Sequence, residues 1–271
     1  MSGLRISASQ LDTYISCPTK WYFRYVEGRV REPSSKMTKG KMFHRMFELV
    51  YGKQMAVDEA TKQLSIEYIG NNDLPSVLQL FMEYQDKYPE INIVEFNGRP
   101  GVEVPFKIEY DNDIQIVGFI DYLSQGARKK YITDIKVTGM YLSDYYFGGF
   151  ELSYQSMMYS FVCQKYFDHI EGFMIDGVMH RKNKGGYSIN FKRQFFPLNQ
   201  NLETFEREMY QVCRYIIEYR DQGAEYFMHH YNNCINKYGR CEYYDVCMTK
   251  ECFQHEYLQS DGFIDYKRVK I

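Results

Sequence analysis

The apolar positions along this chain change period several times, and each change marks an expected element. Between Ile114 and Leu123 they alternate or run on through Ile114, Ile116, Phe119 and Ile120, which is the pattern of a β-strand. A short strand is expected at Tyr131–Val137, and strands at about 91–96 and 101–110 complete a meander. Helical period is clear at Gly40–Tyr51, where Met42, Phe43, Met46, Phe47 and Val50 form one stripe. It returns over 54–89 in two pieces broken near Gly70-Asn71-Asn72, with no chemical signal in either. Near the start, Ser7 with Gln10 three residues on reads as a capping box for a helix with Leu11, Tyr14 and Ile15 on one face. Cys17-Pro18 interrupts it, because a proline disfavours helical geometry in the residue before it, and a second aromatic segment runs to Gly28. Residues 29–39, with Arg29, Arg31, Lys36 and Lys39, read as a polar loop. Beyond the meander come a helix at Glu151–Phe167, strands at 172–181 and 187–193 turned by Asn183-Lys184-Gly185-Gly186, and a helix at Asn199–Arg220.

Composition narrows the class. The 271 residues, 45% hydrophobic and 25% charged, describe a globular chain able to bury one large core or two modest ones. A mean hydropathy of −0.51 and the lack of a long uncharged apolar run exclude a transmembrane helix. The first residues, Met1-Ser2-Gly3-Leu4-Arg5, carry no apolar leader core, so a cytoplasmic protein is expected. A net charge of −2 argues against coating duplex DNA by bulk electrostatics but leaves room for a local basic groove. Twenty-seven tyrosines and 19 phenylalanines are mostly core material, though some are able to stack on unpaired bases.

Two acids stand out in apolar surroundings: Asp121 between Ile120 and Tyr122, and Asp134 between Thr133 and Ile135. Lys136 follows Asp134 by two residues, so a strand's period of two puts both on one face. Two carboxylates and an amine on neighbouring strands are what metal-assisted phosphodiester hydrolysis needs. The acids hold a hard divalent cation, and the lysine orients water or neutralises developing charge. The bland alternative is a pair of solvated strand acids. Elsewhere, His44 lies at the edge of the Gly40–Tyr51 stripe, where a buried histidine satisfied by a neighbour is the ordinary outcome. Gln155 shares a helix face with Tyr159 and Val162 and needs a hydrogen-bond partner there. Arg128, Lys129 and Lys130 make the turn between the acid-bearing strands basic, and Arg181, Lys182, Lys184, Lys192 and Arg193 do the same for the later hairpin. Both are candidate phosphate contacts.

Gly118-Phe119-Ile120-Asp121, followed thirteen residues on by Asp134-Ile135-Lys136, resembles the core of the PD-(D/E)XK nucleases, in particular the RecB-like branch. Gly40 and His44 resemble that branch's first motif, and Gln155-x-x-x-Tyr159 its last. The resemblance implies a metal held by His44, Asp121, Asp134 and the carbonyl of Ile135, with Lys136 serving the attacking water and Gln155 and Tyr159 placing the scissile strand. It also suggests Glu103 as a further site acid. The implied cation is Mg²⁺ or Mn²⁺, with the imidazole suiting Mn²⁺ better.

Four of the seven cysteines, Cys234, Cys241, Cys247 and Cys252, lie within nineteen positions, which in a cytosolic chain suggests a metal site more than disulfides. Cys163 and Cys213 fall within helices and read as inert core. Cys17 with Cys234, Cys241 and Cys247 resembles the iron–sulfur arrangement of AddB-type and CRISPR-associated RecB-like nucleases, where a [4Fe–4S] cluster joins the two chain ends. The spacing departs from C-x₂-C-x₅-C, since six residues lie between Cys234 and Cys241, although Cys241-x₅-Cys247 fits. Cys252 therefore competes with Cys17 as fourth ligand, and Zn²⁺ is the alternative metal. No long periodic apolar face is evident between Tyr226 and Gln259, so that stretch is expected to depend on its metal for order.

Together these readings predict an α/β, restriction-endonuclease-like fold: a mixed central sheet flanked by helices, with a C-terminal cysteine-rich extension. A single nuclease domain over 1–271 is expected, with 40–195 as catalytic core and 1–28 plus 226–259 as the iron–sulfur staple. The implied function is a metal-dependent DNA exonuclease acting on single-stranded or end-bearing DNA in replication, recombination, repair or phage DNA processing, with recombination or replication proteins as possible partners. The alternatives are a CRISPR-adaptation nuclease and a non-catalytic DNA-binding subunit that keeps the fold.

Overall fold

A computed structural model describes residues 3–126, 129–167, 169–236, 239–259 and 262–266. The chain runs β1 (Leu4–Ile6), α1 (Ala8–Ser16), α2 (Pro18–Tyr25), β2 (Arg29–Val30), α3 (Ser35–Phe47), α4 (Val57–Glu67), α5 (Leu74–Lys87), β3 (Glu95–Phe96), β4 (Arg99–Pro100), β5 (Val102–Asp111), β6 (Ile114–Gln125) and β7 (Lys130–Thr138). It continues through α6 (Asp144–Glu151), α7 (Tyr154–Tyr166), β8 (Ile170–Asn183), β9 (Gly186–Pro197), α8 (Leu202–Tyr219), β10 (Ile235–Asn236), β11 (Gly239–Arg240), α9 (Tyr244–Met248), α10 (Glu251–Leu258) and β12 (Ile264–Asp265). Two compact units divide it. One holds Met1–Pro33, Ile108–Ile116 and Glu206–Ile271; the other holds Ser34–Lys107 and Val117–Phe205.

The second unit is built on a mixed sheet. β5 pairs β6, β6 pairs β7 antiparallel, β7 pairs β8 parallel, and β8 pairs β9 antiparallel. The parallel β7–β8 step needs a crossover, and α6 and α7 supply it. Tyr122, Ile135 and Val178 join the stripe of α3 and the buried faces of α4 and α5 in one core that includes Phe43, Phe47, Leu64 and Phe81. Asp134 and Lys136, one residue out of phase with Ile135, meet α7 instead.

Two local details explain sequence features. The helix expected from Gly40 begins five residues earlier, at Ser35, because Asp73 accepts from Ser35 Oγ and pairs with Lys39 Nζ at 3.1 Å, fixing what would otherwise be a polar loop. It ends in a π-helical turn over Glu48–Gly52, closed by Lys53 N–H to the carbonyl of Glu48. Gly118 is required by packing: the Phe106 ring lies 2.4 Å from where its Cβ would be, and that ring meets Tyr159 edge-on with centroids 6.5 Å apart.

In the first unit β1 lies parallel to the start of β6, Leu4–Ile6 against Ile114–Ile116. Ser7 caps α1 by accepting from Gln10 N–H, but the Gln10 side chain donates to the carbonyl of Arg5, so only half of the expected capping box forms. Phe227 stacks on Trp21 at 5.8 Å and packs against Tyr22 at 5.0 Å. Tyr243 and Val246 are fully buried. The stretch after Tyr226 therefore buries side chains through isolated aromatic anchors, and among the described residues no periodic apolar face is involved.

A buried polar network escaped the sequence reading. Asp176 of β8, wholly buried, accepts from Tyr84 Oη at 2.5 Å, Tyr122 Oη at 3.1 Å and Arg193 Nε at 3.0 Å. Arg193 also lies over Tyr88, 3.6 Å from the ring centroid. Its guanidinium is thus spent on the core, not offered to phosphate. Removing one partner leaves a buried charge uncompensated, so Asp176→Ala is expected to lose about 3–5 kcal/mol in chemical denaturation. A loss under about 1 kcal/mol would show that the network carries little of the stability.

Candidate active site

The site gathers around β7. Ile135 N–H donates to Asp121 Oδ2 at 2.7 Å, and His44 Nε2 lies 3.0 Å from the carbonyl of Ile135. Nδ1 faces Asp121 Oδ2 at 3.6 Å and Glu103 Oε1 at 3.7 Å, and a neutral imidazole donating from Nε2 would present its lone pair there. Ligand atoms of His44, Glu103 and Asp121 all lie within 4.8 Å of one another. Glu103 reaches this point from a strained backbone, with φ of 49° inside β5. A non-glycine residue held there costs about 1–3 kcal/mol, and such strain concentrates where geometry serves function.

Beside this trio sits a second group. Asp134, 3% exposed, accepts from Gln155 Nε2 at 2.6 Å through Oδ1 and pairs with Lys136 Nζ at 2.6 Å through Oδ2. Lys136 Nζ donates to Gln155 Oε1 at 3.0 Å, so one glutamine holds both members of the pair. Gln155 also donates to Tyr159 Oη, which in turn donates to the carbonyl of Phe119 two residues before Asp121. The hydrogen-bond partner that Gln155 needed is therefore the acid–lysine pair itself. Of the sequence candidates, Glu103 joins His44 and Asp121, whereas Asp134 is engaged by Lys136 and Gln155.

Charges in this site are strongly coupled. Burial pushes the Asp121 carboxyl up to about 7, with His44 opposing that shift. Burial works against the His44 imidazolium, but Asp121 and Glu103 outweigh it and raise the group to about 9. Burial likewise disfavours the Lys136 ammonium, yet Asp134 and then Asp121 keep it charged above its ordinary range. Two carboxylates and an imidazole within reach of one point form a donor set that fits Mn²⁺ and accommodates Mg²⁺.

The basic candidates are dispersed. Lys129 pairs with Glu171 at 3.3 Å, Lys130 opens β7, and Lys182 and Lys184 are exposed near the tip of the β8–β9 hairpin. Arg181 lies over the Tyr141 ring at 4.6 Å, and Lys192 is bonded to Asp144 at 2.8 Å. Arg128 lies outside the described residues.

In the first unit the cysteines converge. Cys17 sits between α1 and α2, whose junction is tied to the later chain by Thr19 Oγ1 to the carbonyl of Phe227 at 2.6 Å and by His230 Nδ1 beside the carbonyl of Ser16 at 3.0 Å. β10 and β11 form a minimal hairpin that returns Cys241 to Cys234, with Cys241 N–H donating to the Cys234 carbonyl at 2.8 Å. Pairing of Ile235 with Arg240 and of Asn236 with Gly239 thus brings the two cysteines together despite the six residues between them. Burial pushes the Cys247 thiol up to about 12, and Cys17, Cys234 and Cys241 add to the shift, so all four sulfurs are electrostatic neighbours. None of the four is in a disulfide. Cys163 and Cys213 are buried core residues, and the side chain of Cys252 lies outside the described residues.

A profile of the PD-(D/E)XK nuclease superfamily matches residues 5–248. The chain belongs to the PD-(D/E)XK nuclease superfamily. Nucleases of this superfamily use Mg²⁺ or Mn²⁺, and membership implies DNA as the substrate. No curated protein matches the chain. No helix among the described residues is long and apolar enough to cross a membrane.

A cation held by His44, Glu103 and Asp121 would require Asp121 ionised and His44 neutral. Near pH 6 both hold a proton, so loading Mn²⁺ is expected to release about two protons; near pH 8 Asp121 is already ionised and about one is released. Affinity should therefore climb with pH until His44 has titrated, near 9. Calorimetry in buffers of different ionisation enthalpy measures the count, and a pH-independent affinity with no proton release would contradict the assignment.

Proposed function

We propose that the chain is a RecB-like, divalent-metal-dependent exonuclease that cleaves DNA at single-stranded or otherwise accessible ends. Its setting is DNA recombination, repair, replication or phage DNA processing in the cytoplasm. Residues 1–271 act as one nuclease domain. The observation that carries this reading is the meeting of His44, Glu103 and Asp121 beside an Asp134–Lys136 pair held by one glutamine.

In this reading His44, Glu103 and Asp121 hold the cation, with Asp134 at its edge and the Ile135 carbonyl orienting the imidazole. When bound, the cation polarises the phosphate and activates the attacking water. Lys136, kept charged by its acidic neighbours, neutralises charge that builds on the phosphate and orients the water. Gln155 holds Lys136 and Asp134 in register, and Tyr159 ties Gln155 to β6 through the Phe119 carbonyl. Asp134→Ala or Lys136→Ala is expected to lower cleavage at least ~10²-fold while the protein stays folded. Near-full activity of both variants on single-stranded and duplex DNA would overturn the assignment.

We further infer that Cys17, Cys234, Cys241 and Cys247 ligate a [4Fe–4S] cluster that supplies structural stability. Cys17, Cys234 and Cys241 all act on the Cys247 thiol, so the four sulfurs converge on one region, with zinc as the alternative metal there. Burial raises the Cys234 and Cys247 thiols, so both are neutral near pH 7 and metal loading must release protons. Anaerobically purified protein should be brown, with iron and sulfide near about four each per chain. Cys17→Ser should bleach it, and Cys163→Ser should not. A colourless protein with one zinc would contradict the cluster.

A further inference from the structure

Among the exposed side chains of the nuclease-core unit, two tyrosines are held in place by an unusually well-anchored loop. Tyr141 is 65% exposed and Tyr145 81% exposed, while their neighbours Leu142 and Phe147 are buried at 7% and 2%. The buried pair presses on Gly177 of β8: a Cβ there would lie 2.9 Å from Leu142 Cδ2 and 3.0 Å from Phe147 Cζ. Only glycine allows the loop to sit this close. Gly177 is the register partner of Lys136 on β7, so the anchor stands one strand away from the proposed catalytic lysine. Tyr146 is near enough to raise Lys136 electrostatically.

The loop is fixed along its main chain as well. Met140 N–H donates to Thr138 Oγ1 at 3.1 Å, Ser143 N–H to the Tyr141 carbonyl at 2.9 Å, and Tyr146 N–H to Ser143 Oγ at 3.2 Å. On the other side of the same loop, Lys192 bonds Asp144 and lies 5.1 Å from the Phe147 ring centroid. The Arg181 guanidinium covers the Tyr141 ring from 4.6 Å. The result is a pre-set loop with Arg181 against the Tyr141 ring, anchored one strand away from Lys136.

Scattered exposed tyrosines are ordinary in a tyrosine-rich chain. These differ because the loop that carries them is anchored on Gly177, the register partner of Lys136, and because the Arg181 guanidinium covers the Tyr141 ring. We propose that Tyr141, with Arg181, and Tyr145 form a platform on which unpaired bases of a single DNA strand stack as its backbone enters the active site. Bases in an intact duplex are stacked on each other and cannot use such a platform, so the substrate class is a single strand or a frayed end. This inference rests on the nuclease reading and specifies its substrate.

The test uses the whole protein and a fluorescein-labelled oligothymidylate, with dissociation constants measured by anisotropy in EDTA at one salt concentration. Tyr141→Ala and Tyr145→Ala are each expected to weaken single-strand binding at least about fivefold, and Tyr141→Phe, which keeps the ring, to restore it. On a strand made abasic throughout, the alanine variants should bind as wild type does, because no base remains to stack. Equal binding of wild type and both alanine variants to the intact strand would overturn the platform, as would an equal loss on the abasic strand. Manganese-dependent cleavage by the wild type is followed in parallel. A wild type that binds the strand through these tyrosines but never cuts it sinks the nuclease reading alone, whereas cutting without tyrosine-dependent binding sinks the platform alone.

Discussion

The candidate site hangs on the main-chain groups of one residue. Ile135 donates its N–H to Asp121 and offers its carbonyl to His44, so two proposed ligands from different elements are set by a single point on β7. Those bonds are dependable because Ile135 itself cannot move. Its side chain is 2% exposed and sits in the core with α3 and α5, and β7 is bonded to β6 on one side and β8 on the other. Site geometry is thereby converted into a packing problem, and aromatic side chains such as Phe47, Tyr84 and Tyr122 solve it.

The same alternation that buries Ile135 turns Asp134 and Lys136 the other way. An acid and a lysine at i and i+2 in a strand would neutralise each other and do no more, unless a third group held them apart from solvent. Gln155 is that group, with one oxygen for the lysine and one amide for the acid. Burial then works on the whole set. It makes Asp121 reluctant to ionise and disfavours the charged forms of His44 and Lys136 too, but their acidic neighbours outweigh burial and keep both protonated. A divalent cation held by His44, Glu103 and Asp121 would replace those protons as the source of compensating positive charge.

Much of this was legible in the sequence, and the reasons for the rest are specific. Period placed the D-x-K triplet on a strand and His44 and the Gln155–Tyr159 pair on helices, but it was the resemblance to the nuclease motifs that made them site candidates. Glu103 stood only as a second-rank acid because its approach depends on a left-handed backbone that no pattern encodes for a glutamate. Asp176 was missed although the Asn183–Gly186 turn, correctly foreseen, sets a register that faces Asp176 with Arg193. Counting back from that turn would have removed Arg193 from the phosphate-binding candidates. The start of α3 was misjudged because Asp73, distant in sequence, organises a stretch whose own composition favours a loop. The hairpin between Cys234 and Cys241 was likewise invisible to spacing rules, since it places the two cysteines as neighbours across residues that a linear motif counts as separation.

The central claim is that His44, Glu103 and Asp121 form a divalent-metal site. Crystals of the protein grown with Mn²⁺ and measured at the manganese absorption edge test it directly. The account predicts one strong anomalous peak bounded by His44 Nδ1 and the carboxylates of Glu103 and Asp121, absent in a Glu103→Gln, Asp121→Asn double variant. A peak held elsewhere, or a peak undiminished in that variant, would contradict it.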